Sequence, residues 1–343
     1  MKTDVAIIGG GPSGLLLSQL LNKAGVATVV LERATRDRVL SRIRAGVLEA
    51  GTVQMLREAG VGDRLDREGH PHEGCFLTDD DLMVRINFKE LTGTSVMVYG
   101  QTEVTTDLYA AQDAMGATIL HGVEDVVIQD ADSTAPYVEY TLDGVRTRLD
   151  CAYVAGCDGF HGVSRKTIPE DKRREFERVY PFGWLGVLSR TKPAHEELIY
   201  ANSSNGFALA SMRSDTLSRY YVQVPLTDRV EEWSDERFWT MLKTCLPSDV
   251  GGNMETGPSI EKSIAPLRSF VSEPLRWGRL FLVGDSAHIV PPTGAKGLNL
   301  AVAVVHYLYQ ALLDAVKQGD TAGIDAYSER ACLRILHDIR VRW

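Results

Sequence analysis

An apolar strand at Leu280 to Val283 runs into Gly284-Asp285, then into two prolines and a glycine-punctuated turn that leads to an apolar helix. A carboxylate at the end of such a strand stands at the sheet edge where open α/β folds bind ligands. The helix start beyond it offers free backbone N–H groups and a partial positive charge. The pair suits a large ligand with hydroxyls at one point and an electron-accepting ring at another. By itself, however, the segment reads first as an ordinary strand, turn and helix.

The amino terminus changes that balance. Asp4 to Ile8 alternates as a buried strand, Gly9-Gly10-Gly11-Pro12-Ser13-Gly14 follows at once, Leu15 to Asn22 is helical in pattern, and Gly25 is a C-terminal cap. A second strand from Ala27 to Leu31 ends at Glu32. This is the dinucleotide fingerprint in its required context: Gly9 for the tight turn, Gly11 for backbone approach to a pyrophosphate, Gly14 for close helix–strand packing, Glu32 for ribose hydroxyls. These residues leave NAD and FAD both open. A further strand, Arg148 to Ala155, ends in Gly156-Cys157-Asp158-Gly159. If that turn and Gly284-Asp285 reach the same edge as Gly9 to Gly14, the ligand is long, as a flavin nucleotide is. Alone, Asp158-Gly159 reads as a plain turn.

Between the nucleotide segments, roughly 180–270, the chain is rich in β-branched and aromatic residues. Phe207 to Arg213 and Ser218 to Val224 read as two strands joined by a polar turn. Ser211 and Arg213 share one strand face, Arg219 and Tyr221 another. A five-residue connection sets Ser211 opposite Tyr221 and Arg213 opposite Arg219; a four-residue one turns the pairs to opposite faces. Paired arginines repel unless an anion lies near, so in the first register the shared face reads as a carboxylate site. A solvated hairpin face is an equal reading of the same residues.

The chain has 343 residues, enough for a full core and two domains. A net charge of -9 argues against nucleic-acid backbone as a partner. No apolar run in the sequence reads as a membrane helix, and Met1-Lys2 leads straight into a strand, so a cytoplasmic protein is expected. Five scattered cysteines without CxxC spacing read as reduced packing residues, with no metal site.

Longer motifs carry a resemblance. Arg42-Ile43-Arg44-Ala45-Gly46-Val47-Leu48-Glu49, Tyr99-Gly100-Gln101-Thr102-Glu103, the segments 155–162, 178–186 and 218–226, and the 279–299 stretch run densely along the chain. In them the chain resembles the para-hydroxybenzoate hydroxylase (4-hydroxybenzoate 3-monooxygenase) family, single-component FAD-dependent aromatic hydroxylases. The fold this implies is α/β: a Rossmann-like FAD-binding domain (1–72, 98–179 and 271–343) with an inserted, mainly antiparallel β-sheet substrate domain (73–97 and 180–270) and a C-terminal helix. The resemblance places FAD on Gly9, Gly11, Ser13, Gly14, Glu32, Arg42, Arg44, Gln101, Asp158 and Asp285, with Leu298 and Asn299 at the ring. It places the substrate carboxylate on Ser211, Arg213 and Tyr221, and the phenol oxygen on Tyr200 and the Pro292 carbonyl. NAD(P)H reduces FAD in this family, and a flavin C4a-hydroperoxide delivers oxygen beside the phenol. Arg219 matches the residue that helps the flavin move, and His72 the outer end of a proton network that begins at Tyr200. A homodimer is expected.

No second GxGxxG serves the pyridine nucleotide, so the resemblance gives it Arg33, Arg42, His161, Arg165 and Arg268. Ala34 and Arg38 depart from the family pattern; Arg38 favours a 2′-phosphate, which points to NADPH with NADH still open. The family's chains run several dozen residues past the helix that reaches Trp343 and carry a relay tyrosine with no counterpart here. An interrupted chain, or a relay completed by water or another side chain, is the expectation.

Overall fold

The computed structural model describes residues 1–41 and 46–340. Arg42, Arg44 and Trp343 lie outside the described residues. The first strand, β1 (Lys2–Ile8), enters α1 (Pro12–Lys23), which is followed by β2 (Thr28–Glu32). Pro12 occupies the first turn of α1, where its missing N–H costs nothing. Gly25 ends α1 at φ +73°, and the Val26 N–H reaches back to the Leu21 carbonyl at 2.9 Å.

In the first sheet β2, β1, β3 (Val145–Gly156) and a short strand at 280–282 lie parallel, with Thr118–His121 beyond β2 and an antiparallel pair at 124–129 and 137–142 beside β3. Ala6, Ile7, Val30 and Val154 are fully buried, because helices cover both faces and the strands read as continuous apolar runs. Ile8 pairs with Leu31 on one side and Gly156 on the other, and Gly156 pairs with Leu282. The four strands therefore end level, and the glycine turn, Glu32, Asp158 and Asp285 emerge at one edge.

Among the described residues the second sheet has eight strands. Its centre is β4 (Arg174–Ser189), β5 (Leu198–Ser203), β6 (Gly206–Ser214), β7 (Leu217–Pro225) and β8 (Ser259–Glu273), in the order β8, β4, β7, β6, β5. All these pairings are antiparallel; only β5 with Gly74–Asp79 is parallel. One face, with Ala208, Ala210, Tyr220 and Val222, packs on α2 (Asp235–Cys245) through Phe238, Trp239 and Leu242. The opposite face groups Trp184, Leu209, Tyr200, Phe207 and Tyr221. The strand β9 (Leu280–Leu282) then returns the chain to the first sheet, and α3 (Lys296–Gln318) packs against α1 and Ala322–Arg340.

By length and composition α3 is apolar enough to cross a membrane, contrary to the expectation that no run would qualify. Half of its apolar window is buried, with Leu300, Val304, Val305, Leu308 and Leu312 in the core. A core helix passes the same test. All five cysteines are free thiols.

Candidate functional site

The edge of the first sheet forms one half of the site. Gly9 has φ +106°, and a Cβ there would overlap the Cys157 carbonyl; a Cβ at Gly14 would overlap the Gly9 carbonyl. Protein packing thus accounts for both glycines. A Cβ at Gly11 would meet nothing within 4 Å, so the space above it belongs to whatever approaches from outside. The Glu32 carboxylate accepts hydrogen bonds from Gly10 N at 2.6 Å and Ala34 N at 2.8 Å, holding the turn against β2. The α1 start, at Pro12, Ser13 and Gly14, has no side-chain cap, and neither has the helix that begins at Gln101. Both keep first-turn N–H groups for an acceptor.

Asp158 is bound on one side only. Its Oδ2 accepts from Ser164 N and Ser164 Oγ, each at 2.9 Å, while the buried Oδ1 has no partner among the described residues. Burial raises its pKa, opposed by the Ser164 hydrogen bonds. Asp285, by contrast, is exposed.

Asn299 ties distant segments together. Its Oδ1 accepts from Glu49 N at 2.8 Å and Thr52 Oγ1 at 2.7 Å, and its Nδ2 donates to the Val47 and Ala295 carbonyls at 2.9 Å each. The amide is saturated by protein, so what this region offers a ligand is main chain. Lys296, Gly297 and Leu298 form the first turn of α3, again without a side-chain cap. Lys296 is ion-paired with Glu49.

The second sheet supplies the other half. Across its strands Tyr200, Leu209, Tyr221, Gly186 and Ser263 form one row, and Ser211, Arg219, Leu188 and Glu261 the next. Directly opposed residues share a face, so Tyr200, Ser211, Arg219 and Tyr221 all lie on the aromatic face. The hairpin register differs from expectation. Ser211 stands opposite Arg219 and Leu209 opposite Tyr221, because a two-residue turn, Asp215-Thr216, replaces the longer loop and Arg213 sits in a bulge. The displacement is two residues, which preserves the shared face.

Arg213 is the anomaly of this face. Its Nε and Nη1 are buried without a partner among the described residues, and Nη1 lies against Gly46. Burial pulls the guanidinium pKa down; the nearby Arg219 pushes the same way and Tyr221 opposes both. Arg219 is paired with Glu261 and lies over the Tyr221 ring at 5.0 Å. Sequence reasoning missed Glu261, since only the position of β8 beyond β4 brings it there. Ser211 Oγ donates to the Met212 carbonyl at 3.2 Å.

The two halves meet at Tyr200, whose hydroxyl accepts the Gly294 N–H at 3.1 Å. That turn is closed by the Pro292 carbonyl, which accepts Ala295 N–H at 2.9 Å; Pro292 itself is exposed. His72 is buried in a three-stranded sheet with Val47–Leu48 and Val96–Val98, and burial lowers its pKa, partly offset by Glu197.

Arg33, Arg38 and His161 are exposed, and Arg268 is half-buried beside Glu177 at 3.3 Å. Arg165 differs from these. It is buried, with Nε on Glu175 at 3.0 Å, Nη1 on the Ser286 carbonyl at 3.2 Å and Nη2 on the Phe160 carbonyl at 2.7 Å. Its guanidinium and that of Arg268 lie over the Phe160 ring at 4.6 and 4.8 Å. Arg165 therefore braces the His161 loop and presents no free fork to a phosphate.

A parallel sheet with a glycine turn and three carboxylates at one edge, joined to an antiparallel sheet with a buried polar face, defines a flavoprotein monooxygenase. The FAD binding domain family matches residues 2–337. A p-hydroxybenzoate hydroxylase of Acinetobacter baylyi is 53% identical over 344 residues, covering 100% of this chain and 85% of that protein. The chain belongs to the FAD-binding-domain family and, within it, to the family of p-hydroxybenzoate hydroxylases. A 6-methylpretetramide 4-monooxygenase of Streptomyces rimosus is 26% identical over 96% of this chain and 80% of its own. The structure of a p-nitrophenol 4-monooxygenase from Pseudomonas putida DLL-E4 shares the fold, with a TM-score of 0.84 at 21% identity over 96% of this chain and 85% of that one.

Proposed function

We propose that this chain hydroxylates 4-hydroxybenzoate to 3,4-dihydroxybenzoate, using FAD, NAD(P)H and O2. One observation carries the reading. A buried guanidinium with open Nε and Nη1 donors, on the same sheet face as a tyrosine hydroxyl at the flavin-domain turn, demands a ligand with a carboxylate and a second polar end. Ser211 lies one strand across and two residues along from Tyr200, about 8 Å at ordinary strand spacings. That is the reach of a para-substituted benzene ring.

The residues present fit FAD. The open space at Gly11, the uncapped starts at Ser13, Gly14, Gln101 and Leu298, the unpartnered Asp158 Oδ1 and the exposed Asp285 give its phosphates, sugar and ring places to bind. Glu32 keeps lone pairs for ribose beyond its two backbone bonds. When bound, FAD supplies the reduction and oxygen-transfer chemistry.

The protein's own part is binding and proton control. Arg213 clamps the carboxylate, with Ser211 and Tyr221 filling its remaining lone pairs. Tyr200 and the Pro292 carbonyl face the phenol; a hydrogen bond from Tyr200 favours phenolate, which enriches the ring carbon beside it. His72 terminates the relay from Tyr200, and Arg219 attends the movement of the ring. Arg33, Arg38, His161 and Arg268 meet the pyridine nucleotide with Arg42, while Arg165 holds the His161 loop in place. NADPH is favoured by the positive charge at Arg38. The reading includes a cytoplasmic homodimer, and the five free thiols suit a reducing compartment.

Purified protein is titrated with 4-hydroxybenzoate while flavin absorbance, NADPH oxidation and product are followed. The expected result is bound FAD, substrate-stimulated oxidation and stoichiometric 3,4-dihydroxybenzoate. Protein without FAD, or oxidation that yields only hydrogen peroxide, overturns the reading.

A further inference from the structure

Among the described residues, the aromatic face of the second sheet holds two buried guanidinium groups and one carboxylate. Arg219 spans from β7 across β4, over Leu188, to reach Glu261 on β8. It has room because Gly186 carries no side chain: a Cβ there would fall 2.7 Å from Arg219 Nη2 and 2.8 Å from the Tyr221 ring. Glu261 is itself held, since Ser263 Oγ donates to its Oε1 at 2.8 Å. The Arg219 side chain is 7% exposed and that of Glu261 30%. Arg213 lies close enough to feel both charges, yet makes no ion pair with Glu261 among the described residues.

Among the described residues this face carries two cations and one anion, a surplus of one. A monocarboxylate bound at Arg213 brings the cluster to neutrality. A second carboxylate beside the first leaves an excess negative charge at the Arg213 end of the pocket, away from the phenol at Tyr200 and in a poorly solvated place, where charge imbalance costs far more than in water. We propose that Glu261 is a specificity-determining residue, which by neutralising Arg219 restricts the pocket to aromatic monocarboxylates. The proposal rests on the assignment of the substrate carboxylate to Arg213.

The test uses FAD-loaded protein and two probes, 4-hydroxybenzoate and 4-hydroxyphthalate, whose second carboxylate adjoins the first. Dissociation constants come from the flavin absorbance change. In Glu261→Gln the pocket carries a surplus of two, and the preference for the monocarboxylate over the dicarboxylate falls by at least about tenfold. Glu261→Asp, which keeps the charge, retains most of the original preference. Arg219→Gln removes the cation instead and shifts the ratio the opposite way. An unchanged ratio in Glu261→Gln, an equal shift in Glu261→Asp, or a shift of the same sign in Arg219→Gln overturns the proposal. Wild-type protein that binds FAD but not 4-hydroxybenzoate sinks the substrate assignment instead.

Discussion

At the edge of the first sheet, Glu32 accepts two backbone N–H groups and holds the glycine turn in shape; on the face of the second, Arg213 leaves two buried donors unanswered. Both residues are charged and largely out of solvent. One is satisfied by the chain that surrounds it, the other is not. The difference separates polar groups that build a site from polar groups that wait for its occupant. Asn299 and Arg165 belong with Glu32, since their donors and acceptors are matched by protein. Asp158, with one oxygen bound and one bare, stands between the two kinds.

The sharpest way to break this contrast is Arg213→Ala. Loss of the clamp costs about 2–5 kcal/mol of 4-hydroxybenzoate affinity, measured by flavin titration. Thermal stability without substrate stays level or rises, because an unpaired buried cation is removed. A drop in stability with unchanged affinity places Arg213 with the structural residues.

His288 tests the contrast in a neutral group. It is fully buried, both ring nitrogens lack partners among the described residues, and burial pushes its pKa down to about 4. A histidine whose folded pKa is depressed contributes stability that is complete above its ordinary pKa, near 6.5, and is lost as pH falls toward the folded value. From this group alone, unfolding free energy at pH 5 should lie about 2 kcal/mol below that at pH 7. Denaturant unfolding of His288→Phe should show a shallower pH slope. An equal slope in both proteins means that His288 acquires a partner in solution.

The smallest effect belongs to the rim. Arg38 is exposed, so Arg38→Glu should alter binding by about 1 kcal/mol, raising KM for NADPH more than for NADH. Equal changes for the two nucleotides remove Arg38 from 2′-phosphate recognition.

What could be read in the sequence follows the range of each interaction. The steric need of Gly14, the cap at Gly25 and the position of Glu32 arise within a few dozen residues, and local spacing exposes them; Gly9 is marked by the same fingerprint, although the carbonyl it must clear belongs to distant Cys157. The common edge for Asp158 and Asp285 was conditional on strand order, which the level pairing of Ile8, Gly156 and Leu282 supplies. The β6–β7 register escaped, because a bulge at Arg213 absorbs residues that the pattern assigned to the turn. Arg165 could not be sorted from the exposed arginines, since its partners at Glu175 and Ser286 come from separate elements. Glu261 was invisible for the same reason: its partner lies two strands away.

The Asn299 tie has a consequence for how the molecule is made. The main chain at Val47 and Glu49 and the side chain of Thr52 are synthesised about 250 residues before the amide that holds them. At about 5–20 residues per second, a ribosome needs roughly 12–50 s to cover that interval. The amino-terminal turn can form early, but the ring end of the flavin site acquires its fastening only when Asn299 has left the exit tunnel. A nascent chain stalled before residue 299 therefore lacks this closure.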